Sequence, residues 1–148
     1  MAQGSVTVFE EHTLAVGTKL HDYDGDSHKI SIHSALPDTA TATPSYADFT
    51  GTEMANGNGY TTAGEAATCA YTEADGTGTF VLSSDVTWSQ NGSGFTTGKY
   101  AVIYSTTAAS SDAIGTVDLT TDGGTTAVSL QAGDVTISAG TILTLAKA

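Results

Sequence analysis

The sequence predicts a mainly β protein: an antiparallel β-sandwich or small barrel-like domain with a short N-terminal helix. Three observations carry this. From residue 56 onward, apolar residues come in short alternating runs. Glycine-containing turn signals interrupt those runs at close intervals. Threonine, which suits half-exposed strand faces, is abundant throughout. Short strands with frequent turns fit a sandwich or small barrel. The length of 148 residues fits one domain, 1–148, with 1–20 as an N-terminal arm or helix.

Residues 6–20, VTVFEEHTLAVGTKL, carry two patterns. Phe9, Val16 and Leu20 recur at roughly helical spacing, with His12 on the same side. Leu14, Val16 and Leu20 also alternate as a strand would. Glu10 and Glu11 early and Lys19 late suit a helix dipole, which tips the reading to helix. Gly17 costs such a helix about 1 kcal/mol. After the acidic turn HDYDGDSH, the run HKISIHSAL reads as a half-buried strand. Its Ile30 and Ile32 share a face with His28, while Lys29, Ser31 and His33 share the other, and Pro37 stops it. PSYADFTGTEM, 44–54, reads as a short helix with Pro44 at its first position and Tyr46 and Phe49 as apolar contacts.

NGNGYTTAGEA is a glycine-rich loop, and TCAYTEADGTGTFVLSS reads as a hairpin turning at Asp75-Gly76. DVTWS is a short strand and SQNGSGFTTG a loop. KYAVIYS is the most apolar strand and is expected at the centre. AIGTVDL alternates Ile114, Val117 and Leu119 imperfectly across Gly115, which predicts a bulge. A turn at Asp122-Gly123-Gly124 precedes AVSL, DVTIS and TILTL, read as three further short strands. NGNGYTT (56–62) returns as NGSGFTT (91–97), but the flanks differ, so the two are read as loops that need glycine independently.

Charge narrows the function classes. The formal net charge is −12, with sixteen acids against four basic residues, all lysines: Lys19, Lys29, Lys99 and Lys147. Nucleic-acid binding needs cations to replace the counterions of the phosphates, and this surface has too few. Docking on anionic membranes is disfavoured for the same reason. No stretch approaches the roughly 20 apolar residues of a membrane helix. The opening MAQGSVTVFE carries no basic region followed by an apolar run, so a chain made without a signal peptide is expected. The one cysteine, Cys69, excludes an intrachain disulfide and is read as a small apolar core residue.

The chemistry-bearing patterns are few. Asp22, Asp24 and Asp26 match positions 1, 3 and 5 of an EF-hand loop, but position 6 is Ser27 and position 12 is His33, where glycine and glutamate are required. The stretch is therefore read as an acidic turn, with the three aspartates kept only as a weak calcium candidate. His12, His21, His28 and His33 all lie in the first 33 residues, which raises zinc. Their spacing matches no helical HxxxH pair and no cysteine partners them. There is no GxSxG, P-loop lysine or dinucleotide fingerprint, and no pair of acids stands out as a glycosidase couple. Trp88, Tyr100 and Tyr104 are candidates for a sugar platform and are read as core. No catalytic residue and no cofactor is expected, and an enzyme is not.

The order of motifs adds a further reading. FEEHTLAVGTKLHDYDGDSHKISIHSA, GNGYTTAGEA, GTFVLSSDVTWS, KYAVIYSTTA, AIGTVDL and a terminal GTILTL follow one another over most of the chain. This succession resembles a diverse group of small virion structural proteins of tailed bacteriophages. Lys99 stands where arginine is frequent in that group, AIG stands where LIG is frequent, and 120–140 matches least. The resemblance implies an N-terminal helix running through a turn into a strand, with Asp26 and Lys29 at the strand entry. It also implies a virion component. Beyond the resemblance, acidity places such a chain outside the shell rather than against packaged DNA. The expectation is a capsid decoration, or cement, protein on the outer head surface, bound to the major capsid protein and forming a homo-oligomer. Local threefold positions of an icosahedral shell favour a trimer. The alternatives are a neck, tail or fibre-base component, and a calcium- or glycan-binding β-domain. The N-terminal segment is a candidate contact arm.

Overall fold

The computed structural model describes residues 3–9, 12, 16, 21–35, 45–108 and 111–146. The strands are β1 (Val6–Val8), β2 (His28–His33), β3 (Glu65–Ala67), β4 (Cys69–Ala74), β5 (Thr77–Leu82), β6 (Val86–Trp88), β7 (Tyr100–Ser105), β8 (Ala113–Asp118), β9 (Val135–Ile137) and β10 (Gly140–Ala146). They form a five-stranded sheet in the order β1-β8-β7-β2-β3, a three-stranded sheet β10-β5-β4 and a two-stranded sheet β6-β9. Every pairing is antiparallel. The protein is mainly β and sandwich-like, and among the described residues the sheets do not close into a barrel.

KYAVIYS takes the central position, as its unbroken apolar character predicts. Alternation along β7 serves two cores. Ala101 and Ile103 join Ile30, Ile32, Phe80, Leu82, Trp88 and Val135 between the five-stranded sheet and the two smaller ones. Val102 and Tyr104 face the other way, onto Phe9, Phe49 and Ala113. This second core corrects the half-buried reading of β2. Ser31 and His33 lie on the face opposite Ile30 and Ile32, yet both are fully buried. The cover is the short helix Tyr46–Phe49 and the segment around Phe9: Phe9 stacks on Phe49 with centroids 5.3 Å apart, and Tyr46 stacks on Tyr104 at 4.7 Å.

Local chemistry explains the other elements. The helix starts at Tyr46 behind Ser45, and the Asp48 carboxylate accepts the Ser45 N–H (2.8 Å) and hydroxyl (2.9 Å), closing its first turn. Pro44 lies outside the described residues. The β4–β5 hairpin turns at Asp75 (φ 53°) and Gly76 (φ 79°), the pair of positive φ angles that a two-residue hairpin loop needs. The predicted bulge is present: Ile103 faces Gly115 and Tyr104 faces Ala113, leaving Ile114 as an extra residue on β8. That shift lets Ile114 and Val117 enter the same core.

Two elements differ from the sequence reading. Val6–Val8 is a strand paired to β8, not part of a helix over 6–20. Its alternating Val-Thr-Val finds an edge to pair with, and pairing overrides the weak helical spacing. His12 and Val16 are helical, and the other residues of 10–20 lie outside the described residues. AVSL forms no strand: it makes one bridge, Gly98 to Val128, and then inserts the buried Leu130 into the core as a loop. The N-terminal stretch is held by the chain itself from Gln3 onward, through Gln3 Nε2 to the Leu119 carbonyl (3.0 Å) and Gly4 N–H to the Asp118 carbonyl (2.7 Å).

Candidate functional site

The acidic turn spends its carboxylates on its own architecture. Asp22 Oδ1 accepts the N–H groups of Asp24 (3.3 Å) and Gly25 (3.1 Å), the short-range bonding that lets aspartate nucleate turns. A side chain at Gly25 would put its Cβ 2.5 Å from Asp22 Oδ2, so glycine lets this carboxylate fold back. Asp26 links the turn to the end of β7. It accepts hydrogen bonds from Thr107 Oγ1 (2.9 Å) and Ser105 Oγ (3.1 Å) at the end of β7, and from the Asp22 N–H (3.2 Å). Partial burial pushes the Asp26 pKa up, but these hydrogen bonds and nearby His21 outweigh it and hold the carboxyl below its usual range. Asp24 is exposed. The three aspartates thus face different partners, and among the described residues no group of three His, Cys, Asp or Glu side chains is arranged to hold a metal ion.

Three of the four histidines gather around the stacked rings of Tyr23 and Phe80. The rings of His12 and His21 lie 4.7 Å apart, His21 stacks near Tyr23 (6.2 Å), and His28 packs on Phe80 (5.1 Å), which also stacks on Tyr23 (4.6 Å). His12 Nε2 bonds the Tyr23 hydroxyl, and His21 Nδ1 stands 3.7 Å from Asp26 Oδ2. Burial dominates every one of these rings. It lowers the pKa of His12 to about 3, with a further push from His21. It also lowers those of His21 and His28 against the opposing pull of Asp112 and Asp26 on His21 and of Asp26 on His28. His33 sits across the sheet, as the strand parity requires. Burial brings its pKa down to about 4, with Glu53 pulling the other way, and its ring bonds Ser31 Oγ (2.8 Å) and Thr52 Oγ1 (3.1 Å). All four imidazoles are neutral core components near pH 7.

A polar hub at Glu53 escaped the sequence reading. Its carboxylate accepts hydrogen bonds from the hydroxyls of Tyr46 (2.5 Å) and Tyr60 (2.8 Å) and from the Ala63 N–H (2.7 Å). Tyr60 in turn accepts the Ile32 N–H (3.0 Å), and Tyr104 donates to the Ala63 carbonyl (2.6 Å). Glu53 therefore ties the GYTTAG loop to the helix and to the five-stranded sheet. A lone glutamate in TGTEM carries no signal of that role. The two similar loops also meet: Tyr60 packs edge-on to Phe95 at 5.9 Å. Their backbones differ, since Gly57, Asn58 and Gly59 have positive φ and neither Gly92 nor Gly94 does, which fits two loops rather than one repeated unit.

Of the remaining candidates the aromatics are internal, whereas Cys69, read from the sequence as a core residue, is only half-buried and packs against the edge of the core. Trp88, Tyr100 and Tyr104 are all buried, so none offers an open stacking platform. Burial raises the Cys69 thiol to about 11, which withholds the reactive thiolate near neutrality. No helix of the described residues is long and apolar enough to cross a membrane. Fold and geometry together define a β-sandwich-like domain whose described histidines and clustered aromatics serve packing. Comparison with protein-family models, curated proteins and solved structures finds no match to this chain.

Proposed function

We propose that the chain is a virion structural protein of a tailed bacteriophage. More narrowly, it is a decoration, or cement, protein that binds the major capsid protein on the outer head surface as a homo-oligomer, with a trimer favoured. The observation that carries this reading is the order of the resembling motifs, from HKISI through GYTTAG, DVTW, KYAVIY and AIGTVD to GTILTL. Two physical features support it. Asp24, Asp48, Glu73, Asp75, Asp85 and Asp122 are exposed, an acidic exterior suited to a position away from packaged DNA. The histidines, Trp88 and the acidic turn are engaged in packing and hydrogen bonding, which leaves shape and surface as the working parts.

A protein that binds the assembled lattice and not its dissociated parts stabilises the lattice by mass action. Several weak contacts per oligomer add through effective concentration. The test is to add purified protein to heads that lack it. Attachment in stoichiometric amounts, with a rise in the temperature at which heads break open, is expected. Binding confined to tails or necks assigns the chain to the tail or neck and overturns the decoration reading. Calcium or glycan binding by calorimetry, without attachment, replaces it with the binding-domain alternative.

A further inference from the structure

The three sheets leave a half-open cleft of about 830 Å³ between the β1–β8 side of the large sheet and the corner where β9 runs into β10. That volume lies within the roughly 300–1,000 Å³ of sites that enclose a ligand. Val6, Val117 and Leu119 form one wall, and Val135, Ile137 and Ile142 the other. β9 and β10 are each the outermost strand of their sheet, and both line the cleft. An outermost strand presents main-chain donors and acceptors in a row, a template for another strand. Apolar walls beside open strand edges are the ingredients of recognition by strand addition: main-chain bonds hold the guest, and alternate side chains enter the apolar wall.

Charge selects the guest. Among the described residues no lysine, arginine or histidine lines the cleft, while two carboxylates do, the exposed Asp134 and the buried Asp118. Asp85 is outside the lining but accepts the N–H of the lining residue Ala139 (2.7 Å), which brings a further carboxylate close to the cleft. The net charge of −12 on the whole chain likewise favours a guest that carries basic residues. We infer that the cleft takes up an extended segment of another protein, with alternating apolar side chains and basic flanks. Under the proposed function that segment is an extended arm of the shell protein. This last assignment rests on the proposed function; the capacity of the cleft to hold such a segment does not.

The experiment uses the full chain and short synthetic peptides that alternate valine or isoleucine with threonine, flanked by lysines in one set and glutamates in the other. Lysine-flanked peptides should bind at up to about 1 mM, the weak end of useful affinity. They should shift the amide resonances of Val6, Val135–Ile137 and Ile142, and bind at least about tenfold more tightly than the glutamate set at low salt. Ala132→Trp and Ala139→Trp, which place a bulky ring at exposed lining positions, should each weaken binding by about tenfold or more while thermal unfolding stays as in the parent. Absence of binding by every peptide, shifts centred elsewhere, or binding by both tryptophan variants as tight as the parent's overturns the inference. Failure of the parent protein to attach to heads while lysine-flanked peptides bind overturns the proposed function and leaves the cleft assignment standing.

Discussion

His33 shows how burial converts a titratable side chain into a pH-dependent term of stability. Its ring is fully buried between Phe49 and the Ser31–Thr52 hydrogen bonds, and its pKa falls from 6.5 to about 4. Above pH 6.5 the ring is neutral in both folded and unfolded chains and stability is flat. Below 6.5 the unfolded chain binds the proton first, so stability falls with pH until the folded ring titrates near pH 4. From the size of the shift, His33 alone accounts for a loss on the order of 3 kcal/mol across that window. His12, His21 and His28 act in the same direction, while Asp112, whose pKa burial raises, acts in the opposite one. Urea unfolding from pH 8 to pH 4 should show this acid limb, and His33→Gln should flatten it by the His33 share. An unchanged slope in the variant would contradict the assignment. The clustering of histidines was legible in the sequence, but its meaning was not. Spacing along the chain does not report that His12, His21 and His28 share a pocket of aromatic rings while His33 lies across the sheet.

Among the elements, the GYTTAG loop is held most tightly by backbone geometry. Gly64 has φ +69°, and a Cβ there would lie 1.8 Å from the Ile30 carbonyl oxygen on β2. Gly64→Ala should cost more than about 3 kcal/mol, because strain at positive φ adds to a clash with backbone that cannot move aside. Gly92→Ala, in the similar loop, meets nothing within 4 Å and should leave the unfolding midpoint close to the parent. Equal effects of the two substitutions would sink this account of the loop. The contrast also explains what the sequence could reveal at this scale. The Asp75-Gly76 hairpin, the bulge beside Gly115 and the central KYAVIY strand carry local signals, and each stands where those signals place it. β1 and AVSL failed because their fate depends on distant partners: Val6–Val8 on the free edge of β8, and Leu130 on the space between the Asn91 and Phe95 backbones. The Glu53 hub was hidden for the same reason, since its three donors come from residues seven to ten positions away in the chain.

At the scale of the whole molecule, two cores share one central sheet, and acidic side chains decorate the outside. With its histidines neutral and its aromatics enclosed, the domain offers a lattice its shape, its charge and its open strand edges. The proposed role follows from repeating those features many times on a particle. Near-atomic imaging of intact virions that contain this chain is the most direct measurement. The account predicts density for the fold on the outer head surface, on the order of hundreds of copies, contacting the major capsid protein at sites where capsomers meet. A copy number near a dozen, or density confined to the neck or tail, would contradict it.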